Sequence, residues 1–220
     1  MSTTSFIPAL RFNRLTSLYD QIIGITMPEN KFRSQLMQQM KLKANDRVLD
    51  FGVGTASLSL MLKRVHPDIK VTGVDIDENI LKIAREKAIQ QHIEIELLNY
   101  KGPRLPFETG SVNKVVSSLV FHHLKSDQKK ISLAEIYRVL CKEGEFHIAD
   151  WGKPSNLVYR GLAFFLQIFD GFENTKDNIN GKLQDYIEQA GFKVETTAKY
   201  NTIFGTLHLL KCKKIEHGSN

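Results

Sequence analysis

Two acids and two glycines in the first half of the chain have the types and spacing to bind a nucleotide-like ligand. Asp50 lies two residues before Gly52, which is followed by Gly54, and Asp75 ends a second apolar run one βα unit later. The glycines let the backbone turn sharply and approach a ligand without a Cβ in the way. A carboxylate at the position of Asp75 can accept hydrogen bonds from both hydroxyls of a ribose. The pattern predicts a pocket at the carboxyl ends of two neighbouring parallel strands.

The charge of this pocket indicates which nucleotide it takes. Asp50 would repel the pyrophosphate of a dinucleotide, and Ser57 stands where the dinucleotide fingerprint has its third glycine. S-adenosylmethionine carries no phosphate and presents a cationic amino group and a sulfonium, which an acidic pocket suits. The residues therefore favour this methyl donor.

Further motifs follow in a fixed order along the chain, and with them it resembles a class I S-adenosylmethionine-dependent methyltransferase. Within that superfamily it is similar to the small-molecule branch that includes quinone and phospholipid methyltransferases. The resemblance covers nearly the whole chain and is carried by these segments: Asp50–Gly54, Asp75, Leu105–Phe107, Ser118–Leu124, Arg138–Leu140 and Lys142–Phe146.

The resemblance implies a set of residues that bind the cofactor: Asp50, Gly52, Gly54, Asp75, Ile76, Lys101, Gly102 and Leu119. The chain departs from the family pattern at two places. Ala56 stands where the family usually has a third glycine, a tolerable change if the backbone there stays helical. Lys101 and Gly102 replace an Asp-Ala pair whose acid lies near the adenine amino group, and lysine has no acceptor. Adenine recognition is therefore assigned to backbone groups near Lys101 and Gly102, or to Asn99.

Alternating strand and helix patterns predict an α/β fold with a doubly wound, mostly parallel sheet. Strands are expected near 46–51, 70–75, 93–98, 113–119 and 144–150, with helices near 55–65, 78–90, 127–141 and 182–190. Two further strands, over 192–199 and 203–213, are joined by a turn near Tyr200 and Asn201 and must pair antiparallel. The resemblance implies that the last strand inserts antiparallel beside the fifth, which gives seven strands. Residues 1–44 are expected to form an N-terminal helical cap or lid, and residues 45–220 a single methyltransferase domain.

Catalytic candidates follow the fourth and fifth strands, where ligands of open α/β sheets collect. His122 is the candidate general base, since imidazole titrates near neutral pH; alternatively it only caps the strand. Asp150 could contact an amine or hydroxyl of the acceptor, or could satisfy backbone donors at the strand end. Tyr19 and Asp20 resemble an N-terminal tyrosine–acid pair of quinone-type relatives, although Tyr19 could equally be packed inside the lid.

The segment from Leu157 to Phe172 is too apolar for an exposed loop, and Arg160 and its length argue against a membrane span. It either lines an apolar pocket for an isoprenoid, lipid or aromatic acceptor, or packs on the sheet or on a second subunit.

Composition restricts the remaining function classes. The net charge is +6, but the basic residues are scattered without interleaved aromatic residues, which favours ordinary solvated lysines over a nucleic-acid groove and leaves weak contact with an anionic membrane open. No secretory pattern, membrane span, disulfide framework or metal-ligand spacing is found, so a cytoplasmic protein without a metal is expected.

The leading function is methyl transfer to a small, apolar acceptor. The alternatives are methylation of nucleic acid or protein, and a non-catalytic binding protein; the oligomeric state stays open.

Overall fold

A computed structural model describes residues 29–215, apart from the side chains of 165, 166 and 168–170. Five strands and four helices make up the first part of the fold in chain order, with a 3-10 turn over Phe121–His123: α1 (Glu29–Met40), β1 (Arg47–Phe51), α2 (Ser57–Val65), β2 (Lys70–Asp75), α3 (Glu78–Gln90), β3 (Glu96–Asn99), β4 (Val112–Ser118), α4 (Ser126–Val139) and β5 (Leu140–Gly152). The remaining elements are α5 (Leu157–Asp170), α6 (Phe172–Ile179), α7 (Lys182–Gln189), β6 (Phe192–Thr202) and β7 (Gly205–Lys214).

These strands form one seven-stranded sheet in the order β3-β2-β1-β4-β5-β7-β6. The first five strands along the chain are parallel, and β7 lies antiparallel between β5 and β6. The predicted doubly wound sheet with an antiparallel last strand beside the fifth is confirmed. The strand order reverses between β1 and β4, and ligands of such sheets bind outside that switch point.

The core lies on both faces of the sheet because side chains alternate along each strand. On β5, Phe146 and Ile148 join the cluster under α4 and α7, whereas Ala149 and Trp151 join the cluster under α1 and α2. The apolar side of α1 is fully buried in that second cluster through Phe32, Leu36 and Met40. The described part of the expected cap over residues 1–44 is α1, which packs on a face of the sheet. Residues 1–28, with Tyr19 and Asp20, lie outside the described residues.

The expected turn near Tyr200 and Asn201 is wrong, because β6 continues to Thr202 and the chain turns at Ile203 and Phe204. The Thr202 hydroxyl accepts a hydrogen bond from the Phe204 N–H at 3.1 Å, and Gly205 has a φ of +124°. Asn201 lies within β6 instead, and its side-chain Oδ1 accepts a hydrogen bond from the Thr206 hydroxyl of β7 at 2.9 Å.

Among residues 29–215, no helix has both the length and the apolar composition to cross a bilayer. The same residues contain no group of three or more His, Cys, Asp or Glu side chains placed to hold a metal ion.

Candidate active site at the carboxyl ends of the strands

The chain turns after β1 through two glycines in the left-handed region. Gly52 has a φ of +74° and Gly54 a φ of +53°. A Cβ on Gly52 would lie 2.4 Å from a Val120 methyl, so the exit of β4 packs directly on this turn. A Cβ on Gly54 would meet nothing within 4 Å, so Gly54 presents open backbone at the edge where a ligand would lie.

Asp75 ends β2 and is held by the backbone around it. Its Oδ2 accepts from the Gly54 N–H at 2.9 Å, and its Oδ1 accepts from the Asp77 N–H at 3.0 Å. An ionised carboxylate has about four lone-pair sites. One site on each oxygen is therefore left to accept a hydroxyl, which fits the predicted contact with a ribose.

Asp50 is buried at the centre of the sheet, beside Gly73 of β2 and Val116 of β4. The Ser59 hydroxyl donates to its Oδ2 at 2.7 Å. Burial raises the pKa of Asp50 to about 6, against the opposing effects of the Ser59 hydrogen bond and the positive charge of Arg33. At neutral pH the carboxylate is thus ionised, although burial makes its charge energetically unfavourable. A cation bound near it would stabilise that charge.

The condition under which alanine was expected to be tolerable at position 56, a helical backbone, is not met. Ala56 has φ +60° and ψ +19°, the left-handed conformation, and immediately precedes α2. Its carbonyl accepts from the Leu60 N–H at 2.9 Å, and its side chain is fully buried. A non-glycine residue in this conformation costs about 1 kcal/mol, which explains why a glycine is favoured at this position.

The loop after β3 brings the predicted adenine-side residues to the same edge as Asp75. Asn99 Nδ2 donates to the carbonyls of Asp75 at 3.2 Å and Ile76 at 3.0 Å, which fixes the exit of β2. Lys101 and Gly102 follow β3 in an exposed loop, with Gly102 at a φ of +68°. Their contact with adenine stays a prediction.

The exit of β4 is tied to β5 by Asp150. Leu119 has a φ of +60° and donates its N–H to the Ala149 carbonyl at 2.8 Å. The next two N–H groups, of Val120 and Phe121, donate to Asp150 Oδ2 at 3.1 and 2.7 Å. Asp150 therefore satisfies the backbone donors at the strand end, one of the two interpretations that its position allowed.

The same carboxylate holds His122. Asp150 Oδ1 lies 2.8 Å from His122 Nδ1 and also accepts from the Trp151 N–H at 2.7 Å and from Asn178 Nδ2 at 3.2 Å. Burial alone would raise the pKa of Asp150, but His122 and these hydrogen bonds outweigh it and hold the pKa below its ordinary value. The arrangement is a buried histidine oriented by an ionised acid.

Two contributors to this site carry no motif in the sequence. Asn178, on α6, is fully buried and donates both to Asp150 and to the Trp151 carbonyl at 3.1 Å. Arg33, on α1, pairs with Glu29 at 2.8 Å, and its buried Nε makes no hydrogen bond to the described residues. Only the Glu29–Arg33 spacing of four residues was visible in the sequence, and it indicates a helix, not a site.

The comparisons with known proteins agree with this geometry. A family model for a methyltransferase domain matches residues 48–144, the part that carries the glycine turn and both acids. The chain is 28% identical to a demethylmenaquinone methyltransferase of Lactobacillus johnsonii over 98% of each chain. It is 35% identical to the enzyme of that name from Thermus thermophilus over 54% of each chain.

Solved structures show the same fold. An S-adenosylmethionine-dependent methyltransferase from Aquifex aeolicus matches with a TM-score of 0.66 and 21% identity, over 95% of this chain and 100% of that one. A phosphoethanolamine N-methyltransferase of Haemonchus contortus, in complex with S-adenosylhomocysteine, matches with a TM-score of 0.66 and 16% identity, over 84% of this chain and 53% of that one.

The family match, the curated relatives and the fold support the same type of enzyme. The chain is an S-adenosylmethionine-dependent methyltransferase with the class I fold.

Proposed function

We propose that this enzyme transfers a methyl group from S-adenosylmethionine to a ring carbon of a reduced quinone. The observation that carries the proposal is the buried pair of His122 and Asp150, 2.8 Å apart, at the ends of the strands that border the donor pocket. A hydroquinone is the kind of acceptor that needs such a base, because it arrives with its hydroxyl protons in place. The demethylmenaquinone methyltransferases among the relatives support the same class of acceptor.

The donor is assigned to the pocket beyond β1, β2 and β3. Asp75 would accept from the ribose hydroxyls, and Gly52 and Gly54 would let the backbone lie close to the methionine part. The acid of Asp50 would attract the positive charge of the donor. The remaining assigned residues are Ile76, Lys101 and Gly102 on the adenine side, and Leu119 at the exit of β4. When bound, S-adenosylmethionine supplies an electrophilic methyl group on a cationic sulfonium.

His122 acts as the general base in this proposal. With Nδ1–H donated to the Asp150 carboxylate, a neutral His122 ring would carry its lone pair on Nε2. Nε2 takes the proton of a quinol hydroxyl, which makes the adjacent ring carbon electron-rich. With the donor bound, that carbon would form its bond to the methyl group as the bond to sulfur breaks. The proton on the same carbon would then leave to solvent while the His122 imidazolium returns its proton to the oxygen, which restores the aromatic quinol.

Asp150 is a positioning residue rather than a group that touches the acceptor. The described residues direct five donors at its two oxygens, and the carboxylate is buried. Little accepting capacity is left for a substrate. Its roles are to fix the His122 tautomer and to stabilise the imidazolium that forms when the base takes a proton.

The test is methyl transfer by the full chain with methyl-labelled donor and a demethylated naphthoquinone, kept either reduced or oxidised. We expect a labelled quinone and one equivalent of S-adenosylhomocysteine per methyl transferred, only with the reduced acceptor. Ethanolamine phospholipids and RNA serve as competing acceptors. Transfer of the methyl group to one of these acceptors but not to the quinol would refute the proposed acceptor. Binding of S-adenosylhomocysteine without methyl transfer to any acceptor would favour a non-catalytic binding protein.

Two histidine variants separate the base from a general effect on folding. His122→Asn removes the base, whereas His66→Gln changes a histidine after the end of α2, away from this site. The proposal expects loss of turnover in the first variant only.

A further inference from the structure

The helix α5 displays an apolar surface that no other part of residues 29–215 covers. Leu157 is 85% exposed, Val158 67% and Phe164 52%. Positions 157, 161 and 164 lie on one side of a helix, and Gly161 between the two large side chains leaves that side open. Single exposed apolar residues are ordinary, but Leu157 and Phe164 lie two turns apart on the same side, with Val158 next to Leu157, and together they form an apolar surface.

This surface continues onto α6. The rings of Phe164 and Phe172 meet edge to face with centroids 5.6 Å apart. Beside them lies a cavity of about 320 Å³ whose apolar wall is Phe164, Phe172 and Ile179. Its polar lining includes two cations, Arg160 and Lys176. The cavity thus joins apolar walls to positive charge, a combination suited to an acyl chain with an anionic headgroup.

The exposed charged side chains that the structure describes next to this surface are mainly positive. Arg160 and Lys176 are exposed, and Lys153 is exposed just before α5, while Glu173 is the exposed acid of this part of α6. The whole chain carries a net charge of +6. An apolar helix face rimmed by basic side chains is the pattern of helices that lie in the interface of an anionic membrane.

The surface is next to the catalytic candidates. The inner side of α6 packs against the 3-10 turn that carries His122, and Asn178 on that side donates to Asp150. Lys129 holds α6 in place through a 2.7 Å hydrogen bond to the Asn174 carbonyl. A surface that contacts α5 and the outer side of α6 therefore lies one helix away from the site of methyl transfer.

We infer that α5 and the adjoining Phe172 dock on an anionic lipid surface. Leu157, Val158 and Phe164 enter the region between headgroups and acyl chains, while Arg160 and Lys176 meet the phosphates. A second copy of the chain is a poorer occupant. A two-fold contact centred on this patch would bring together more cations (Arg160 and Lys176 of each copy) than acids (Glu173 of each copy), whereas lipid phosphates would neutralise the cations. The inference deepens the proposed function, since it lets an acceptor held in the bilayer reach His122 from the membrane side.

The test is co-sedimentation of the full chain with vesicles of phosphatidylcholine alone or mixed with phosphatidylglycerol, without methyl donor or quinone. We expect binding to the anionic vesicles that weakens as salt is added. Replacing Leu157, Val158 and Phe164 by Ser should weaken it about tenfold or more, since apolar burial drives the insertion. Arg160→Gln with Lys176→Gln should remove the preference for anionic vesicles.

A matched control uses two exposed isoleucines on α3. Ile83 is 51% exposed and Ile89 73%, so Ile83→Ser with Ile89→Ser removes similar surface elsewhere. This variant should bind vesicles like the unmodified chain, and every variant should keep its thermal unfolding midpoint and its affinity for S-adenosylhomocysteine.

Three outcomes overturn the inference. The unmodified chain stays in the supernatant with both vesicles, or the α5 variant sediments as well as the unmodified chain, or the unmodified chain is a dimer that the α5 substitutions convert to monomers. Because no acceptor is present, failure here leaves the proposed methyl transfer standing, and failure of methyl transfer leaves this result standing.

Discussion

Replacing Asp50 by Asn should stabilise the protein and weaken donor binding at the same time. The carboxyl is buried, and burial raises its pKa from the ordinary 3.8 to about 6. A difference of about two pH units corresponds to about 3 kcal/mol of folding free energy. Asn has the same shape and can still accept from the Ser59 hydroxyl, but it has no charge to desolvate. We therefore expect Asp50→Asn to raise the free energy of unfolding by up to about 3 kcal/mol at pH 8.

The sign of the pH dependence follows from the direction of the shift. Between pH 4 and pH 6 the native protein holds a proton on Asp50 that the unfolded chain has released, so this contribution to stability is lost as pH rises through about 6. The advantage of Asp50→Asn should thus be full at pH 8 and vanish near pH 4. Urea unfolding at both values, followed by fluorescence of the single Trp151, measures it.

Donor binding should change in the opposite direction. Loss of the negative charge should weaken S-adenosylmethionine binding by about 1.5–3 kcal/mol, the range for hydrogen bonds to charged groups. Calorimetry with the donor and with S-adenosylhomocysteine separates two contacts: equal losses indicate the amino group, and a larger loss for the donor indicates the sulfonium. In the unmodified enzyme, donor affinity should fall as pH falls below about 6.

The control is Asp46→Asn, the same change at a half-buried acid just before β1 whose Oδ2 accepts from the Lys43 N–H at 2.8 Å. It should alter neither stability at pH 8 nor donor affinity appreciably. The reasoning is refuted if Asp50→Asn destabilises the protein at pH 8, if its gain is the same at pH 4, or if donor affinity is unchanged.

Three further substitutions test the site and its turn. Asp75→Ala should weaken donor binding by about 1.5–3 kcal/mol; unchanged affinity by calorimetry would count against the ribose contact. His122→Ala should lower kcat about a hundredfold or more with little change in donor affinity, and full activity across pH 6–9 would return this histidine to a structural role. Ala56→Gly should raise the free energy of unfolding by about 1 kcal/mol or less, since it removes left-handed strain at the expense of one buried methyl group; lower stability in urea would show that the methyl contact dominates.

The parts of the fold that the sequence predicts well are those set by local pattern. The helix over 78–90 and the strand over 70–75 were predicted with the observed bounds, because their apolar spacing and flanking polar residues are unambiguous. The bounds of β5 were too narrow, because α4 ends at Val139 and the chain passes into the strand without a loop. The hairpin turn was misplaced because Asn201 favours turns in isolation, whereas here Ser155 and Thr206 bind its side chain.

The candidate site divides in the same way. Gly52, Gly54 and Asp75 follow from strand and turn chemistry that a short stretch of sequence contains. The donation from Asn178 to Asp150 joins residues 28 positions apart, and it depends on how α6 packs against β5. The left-handed backbone at Ala56 was missed because alanine does not favour that conformation and so gives no signal of it in the sequence. Long-range packing and backbone strain at unexpected residue types lie beyond pattern reading.

Asp50 and Asp150 show why geometry assigns roles that residue type does not. Both are aspartates buried within strands, at the carboxyl edge of the sheet. The described residues give Asp50 one hydroxyl donor, and its pKa rises; they give Asp150 five donors including His122, and its pKa falls. An acid whose charge is poorly compensated gains most from a cationic ligand, whereas a fully compensated acid gains nothing and serves to orient its neighbour. The contrast therefore supports the proposal that the methyl donor binds beside Asp50 and that the histidine held by Asp150 is the base.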